Sequence, residues 1–148
     1  MSSTYSSLHY HVVFSTKGRE PWIASSWRGR LHEYLGGTVG GLNATPIIVG
    51  GVNDHVHLLV TLRPVHCPAD FVREVKKASS VWVHQEIRRA EFAWQEGYAA
   101  LTVSPSGRDR VRDYIARQED HHRKRSFREE LVEMLDRTGV SYDSRYVG

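Results

Sequence analysis

The residue types best suited to chemistry in this 148-residue chain are histidines at short spacing. His55 and His57 flank Val56 in NDHVHLLVTL, residues 53–62, a stretch rich in strand-forming side chains. In a strand, positions i and i+2 project from one face, so the two imidazoles point together. Side by side they can bind a divalent cation, but two ligands are too few for a stable site. His9 and His11, in LHYHVVFS at residues 8–15, repeat the spacing. No partner is evident around them, and they read as ordinary strand histidines. His121 and His122 are neighbours on a helical stretch, so their side chains diverge by about 100°. They read as surface or phosphate-facing residues rather than a chelating pair.

A nucleophile and a further ligand can come from DYIARQEDHH, residues 113–122. Tyr114 and Gln118 are four apart, hence on one face of a helix, which presents a phenol and a carboxamide oxygen together. The same spacing also suits plain amphipathic packing, and the residues by themselves leave both readings open. Basic side chains stand where a polyanion could run: Lys76 and Lys77, then Arg108, Arg110, Arg112, Arg117, Arg123, Lys124 and Arg125. Such groups bind phosphates without reading sequence. Asp109, Asp113, Glu119 and Asp120 are interspersed among them, which suits a solvated helix face equally well.

The elements that must position these residues follow from periodicity. LHYHVVFS alternates as a first strand with Leu8, Tyr10, Val12 and Phe14 on one face. From about Ser25 to Val39, Trp27, Leu31, Tyr34 and Leu35 recur at helical spacing, with Gly36, Gly37, Gly40 and Gly41 expected to loosen the far end. ATPIIVGGV and DHVHLLVTL form a hairpin. A helix opens near Asp70, with Phe71, Val75, Ala78 and Val81 or Trp82 on its apolar face. GYAALTVS is a fourth strand, and residues 108–124 read as one helix with Val111, Tyr114, Ile115 and Gln118 near one stripe. Ser126 and Glu129 make a capping box for a last helix, FREELVEMLDR, that Gly139 ends. The order β-α-β-β-α-β with two further helices predicts an α+β, ferredoxin-like fold: an antiparallel four-stranded sheet plus C-terminal helices, as a single domain over residues 1–148.

Composition narrows the setting. Twenty Lys and Arg against 17 Asp and Glu give a net charge of +3, compatible with a polyanionic partner without demanding one. Cys67 is the one cysteine, so no intramolecular disulfide forms. The start, MSSTYSS, lacks the charged and apolar regions of a secretion signal, and no apolar run reaches the roughly 20 residues of a membrane span. A cytoplasmic protein without membrane attachment is expected.

Taken together and in this order, the motifs LHYHVVFSTKGREPWI, GGVNDHVHLLVTL, VREVKKASSVWVH, FAWQEGYAALTVS, VRDYIARQEDHHRKRSFREE and YDSRYV resemble the HUH-type, single-tyrosine transposases of bacterial insertion sequences. That group includes the transposases associated with repetitive extragenic palindromes. The resemblance spans almost the whole chain and matches His55 and His57, not His9 and His11, to the family's metal pair. It implies Mg2+ or Mn2+ held by His55, His57 and Gln118. It implies attack of Tyr114 on single-stranded DNA at element-end hairpins, leaving a covalent 5′-phosphotyrosine and a free 3′-hydroxyl, with joining as the reverse. It also implies a homodimer in which the tyrosine helix can complete the partner's histidine site, with Ser104–Gly107 as a hinge that places the helix in trans or in cis. Arg117 stands where many relatives carry asparagine.

Other functions make different demands. An RNA-binding module on such a sheet displays stacking aromatics on its central strands, and DHVHLLVTL has none. A zinc hydrolase using His55, His57 and a water would survive loss of Tyr114. A former transposase kept as a DNA- or RNA-binding regulator would have no need for His55, His57, Tyr114 and Gln118 all to remain intact.

Overall fold

Strand alternation and helical periodicity divide this chain into two helical layers around one sheet. The computed structural model describes residues 3–147. The strands are β1 His9–Ser15, β2 Thr45–Gly51, β3 His55–Thr61 and β4 Ala99–Val103. The helices are α1 Ser25–Gly41, α2 Pro68–Trp82, α3 Arg108–Ala116, α4 Gln118–His121 and α5 Phe127–Thr138. The sheet order is β2-β3-β1-β4 with every neighbour antiparallel, the α+β, ferredoxin-like arrangement expected. Among the described residues, no helix is long and apolar enough to cross a membrane.

The period of two assigns each face a task. Val12, Phe14, Val56, Leu58 and Val60 bury one face against Trp27, Leu31, Leu35 and Val39 of α1 and Phe71, Val72 and Val75 of α2. The other residues of β1 and β3 turn His11, His55 and His57 toward α3, α4 and α5. Because β3 is covered on both sides, six of its seven residues are buried.

Three helices depart from the sequence reading. α1 runs through Gly36 and Gly37 to Gly41, because Val39 extends the buried stripe one turn beyond Leu35. That packing outweighs a helix-propensity cost of roughly 1 kcal/mol per glycine. In α2 the buried stripe is Phe71, Val72, Val75 and Ser79, whereas Val81 is exposed and Trp82 is half-buried, stacked on Tyr34 with centroids 5.2 Å apart. The single helix expected over residues 108–124 breaks at Arg117, whose φ of −104° and ψ of 23° separate α3 from α4. The Arg117 amide bonds the Tyr114 carbonyl at 3.2 Å, a tighter turn than an α-helix makes, and α4 begins at Gln118.

Two local features hold α3 and α5 over the sheet. Gly50 lies opposite His57, and a Cβ there would come within 2.5 Å of the Ile115 carbonyl oxygen, so only glycine admits α3 this closely. The capping box forms as expected, with Ser126 Oγ accepting from the Glu129 amide and the Glu129 carboxylate accepting from the Ser126 amide. Gly139 ends α5 in the left-handed conformation, φ 73°.

Candidate metal and nucleophile site

His55 and His57 leave β3 on the face that α3, α4 and α5 cover, and both are fully buried. Each ring is oriented through its second nitrogen. Nδ1 of His55 lies 2.7 Å from Asp54 Oδ1, and Nδ1 of His57 lies 2.7 Å from His11 Nε2. Both Nε2 atoms therefore face the same space, the arrangement by which outer partners fix metal-ligating histidines. His11 thus has a partner that its own neighbourhood in sequence did not show: the β1–β3 register brings its ring to within 5.0 Å of the His57 ring. His9 is buried as well, its Nδ1 2.8 Å from Thr61 Oγ1.

The break at Arg117 brings α4 across this space. Gln118 is buried, with Oε1 3.0 Å from His55 Nε2 and 3.1 Å from His122 Nε2. From α5 comes Glu130, a fully buried carboxylate. Its Oε1 lies 3.0 Å from His57 Nε2, 3.3 Å from His55 Nε2 and 3.1 Å from His122 Nε2. Its Oε2 accepts from Gln118 Nε2 at 3.0 Å and from the Tyr114 hydroxyl. His121 Nε2 is 3.4 Å from the same oxygen. The reading of His121 and His122 as surface residues is thereby corrected. Their side chains do diverge, but they diverge around Glu130, one reaching each oxygen.

The donor chemistry fits a divalent cation. Ligand atoms of His55, His57, His122 and Glu130 all lie within 4.8 Å of one another, and Gln118 Oε1 joins them. Around an octahedral cation with donors at about 2.1 Å, adjacent donors stand about 3.0 Å apart. The separations of 3.0 to 3.3 Å given above match that edge. Three imidazole nitrogens with two oxygens suit manganese and zinc better than a purely oxygen-loving ion.

Electrostatics separates the groups. Burial works against a charge on His55, but hydrogen bonds to Asp54 and Glu130 outweigh it and lift its pKa to about 9. His57 falls to about 4 through burial, which its contact with Glu130 does not offset, and His11 falls to about 3 through burial and the neighbouring His57. Burial also opposes ionisation of Glu130, yet the bonds from His122, His55 and His57 win and hold the carboxyl far below the usual range. Tyr114 moves the opposite way: burial, then the negative Glu130, keep its phenol protonated well above ordinary conditions.

Of the basic residues singled out, Arg108, Arg110 and Arg112 are exposed on α3, Arg117 follows it, and Lys124 is exposed beyond α4. Arg123 pairs with Asp120 at 3.1 Å and Arg125 pairs with Glu133. Lys76 and Lys77 belong to α2, across the sheet from Tyr114. The Lys76 ammonium donates to the carbonyls of Gln95 at 2.7 Å and Gly97 at 2.9 Å and lies over the Phe14 ring.

The sequence did carry a signal for Glu130. The apolar stripe of α5 runs Phe127, Leu131, Met134 and Leu135, and Glu130 occupies a stripe position where a carboxylate is costly unless it is partnered. For His122 no such signal exists, because the break at Arg117 carries no glycine or proline.

Comparison with known proteins places these residues in context. Residues 4–118 match the family described as Transposase IS200 like, so α5 and Glu130 lie beyond the matched span. The ISDra2 transposase TnpA of Deinococcus radiodurans is 27% identical over 119 residues, covering 76% of this chain and 85% of that protein. A crystal structure of a transposase from Deinococcus radiodurans R1 superposes with a TM-score of 0.61 at 27% identity, over 80% of this chain and 95% of the other. The REP-associated tyrosine transposase, solved bound to a REP hairpin, shares the fold with a TM-score of 0.60 at 15% identity, over 82% of this chain and 74% of its own.

Proposed function

The chain belongs to the IS200-like transposase family, and from that premise we propose that it cleaves and rejoins single-stranded DNA through a covalent 5′-phosphotyrosine. The supporting observation is that half-buried Tyr114 and buried Gln118, from one stretch of sequence, meet buried His55 and His57, from another, around Glu130. His55, His57 and Gln118 are the proposed ligands of Mg2+ or Mn2+, joined by His122 and Glu130; of the two ions, the three imidazoles favour Mn2+. When bound, the cation supplies positive charge against that developing on the scissile phosphate.

The chain's own groups do the remainder. Tyr114 is the nucleophile. Its oxygen forms the new bond to phosphorus as the bond to the 3′-oxygen breaks and the phenolic proton leaves toward Glu130 Oε2, which already accepts it in a hydrogen bond. The departing 3′-oxygen takes up the proton released by Tyr114, which Glu130, a weak base in this site, passes on rather than keeps, and becomes a hydroxyl. Joining reverses each change, and no nucleotide cofactor is consumed because the phosphotyrosine ester retains the bond energy. Asp54 and His11 hold the His55 and His57 rings, and the fit of α3 over Gly50 places Tyr114.

Arg108, Arg110, Arg112, Arg117, Arg123, Lys124 and Arg125 are proposed to bind the phosphates of the strand. The substrate carried over is a hairpin at an element end, the type of ligand named for the REP-associated fold-mate. A homodimer belongs to the same proposal, with each copy's Tyr114 acting beside its own histidines.

The test is a denaturing gel of single strands from the flanks of the gene, labelled on the 3′ side, with Mg2+ or Mn2+. Wild type is expected to form an adduct that Tyr114→Phe and His57→Ala do not. Flanking strands that bind without any adduct would replace this reading with a regulatory, non-cleaving one.

A further inference from the structure

Next to the tyrosine is a space that the chemistry just described does not use. A cavity of about 340 Å³ lies between β4, α3 and α5, with the Tyr114 side chain and Glu130 in its wall. Leu101 and Val103 from β4, Val111 from α3 and Met134 from α5 give it apolar sides; Arg110 contributes a guanidinium group, while that of Arg137 is paired with Glu133 at 2.7 Å. His55, His57 and Gln118 do not line it. Its α5 wall lies beyond the span matched to the transposase family.

We propose that this cavity receives the base of the first nucleotide 3′ of the cleaved bond, the nucleotide that remains on Tyr114. The proposal rests on the phosphotyrosine reading and deepens it. A phosphate joined to the Tyr114 oxygen brings its own nucleoside to the wall that carries that oxygen, so the nearest unfilled space is where the base goes. Apolar side chains from three elements suit a flat heteroaromatic ring and not a charged backbone, whereas the exposed Arg110 at the rim suits the phosphate beside it. The volume is at the lower end of small-ligand pockets and fits a single nucleoside better than two. A base in single-stranded DNA turns into such a pocket without the cost of breaking a pair.

The experiment reads binding separately from cleavage. A fluorescent single strand from the gene's flank is titrated into the full chain in EDTA, intact and then with an abasic residue at each position in turn. The expected result is one sensitive position, 3′ of the bond that cleaves when metal is added, where the abasic residue weakens binding about tenfold. Met134→Trp or Val111→Trp, each confirmed as folded by its melting transition, is expected to weaken the intact strand by a similar factor. Either variant should change binding of that abasic strand less than about twofold, since the abasic strand no longer uses the cavity.

Losses spread evenly along the strand overturn the proposal. So does a tryptophan effect equal on intact and abasic strands, or no binding of any strand. A single sensitive position that responds to the tryptophans in a chain that never forms an adduct keeps a base in the cavity but removes its link to Tyr114, and the cleavage reading fails instead.

Discussion

Replacing Glu130 separates its role in the fold from its role in the site. In the metal-free protein the carboxylate is fully buried and pairs with His55, whose pKa is raised to about 9 from 6.5. At about 1.4 kcal/mol per unit, that shift is roughly 3 kcal/mol in favour of the charged ring, the net left after burial has opposed the pairing with Asp54 and Glu130. Glu130→Ala removes one partner and also strands the hydrogen bonds donated by Gln118 and Tyr114, so a loss of about 2–4 kcal/mol is expected. For a chain of this size that lowers the melting temperature by roughly 6–12 °C.

The pH dependence has a definite sign. His55 has a raised folded pKa, so its contribution is complete below about 6.5 and disappears as pH rises through about 9. Glu130 has a lowered one, so its contribution exists above its unfolded value of 4.5 and fades as pH falls. The gap between wild type and Glu130→Ala, followed by circular dichroism melting in EDTA, should therefore be widest between about pH 5 and 7 and shrink by pH 10. Glu130→Gln, which keeps the shape, should melt closer to wild type yet lose most of the stabilisation that Mn2+ gives the parent. A Glu130→Ala transition within about 2 °C of wild type at pH 6 would refute the reasoning, as would a gap that does not change with pH.

Gly50→Ala sets a methyl group against the Ile115 carbonyl; melting should show a loss of about 1–3 kcal/mol, and adduct formation should fall further than DNA binding because α3 carries the nucleophile. His11→Ala takes away the group that orients His57, and calorimetric titration with Mn2+ should show affinity reduced by about 10- to 100-fold in a folded protein. Lys76→Ala should lower the melting temperature with little change in DNA affinity, since its ammonium ties down the Gln95 and Gly97 carbonyls. Arg110→Ala should instead weaken binding and reduce the salt dependence by about one ion, as read from titrations at several salt concentrations.

What could be read in advance follows from what periodicity encodes. A period of two put His55 and His57 on one face, and the run of periods set the order of strands and helices; the one helix face expected to carry Tyr114 and Gln118 is broken at Arg117, and the two meet instead at Glu130 Oε2 from α3 and α4. Periodicity says which residues share an element's face, not which faces meet. His11 became visible as the partner of His57 only once β1 was paired with β3. Glu130 announced itself as a charge in an apolar stripe, but nothing near it named the histidines it would meet. His122 depended on a helix break at Arg117 that no glycine or proline marks, and the same break moved His121 and His122 from the expected surface to the two sides of a buried carboxylate. In α1 the opposite happened: glycines that locally favour an end were carried through by Val39 packing beneath them.

The most direct test of the central claim is to find the atom that carries the DNA. Wild-type protein incubated with a flanking single strand and Mn2+ would be digested with nuclease and protease and its peptides sequenced by mass spectrometry. A nucleotide 5′-phosphate attached to Tyr114 in the Asp113–Arg117 stretch, with a free 3′-hydroxyl on the released strand, is the expected result. Attachment to any other residue, or cleavage that leaves no attached nucleotide, would contradict it.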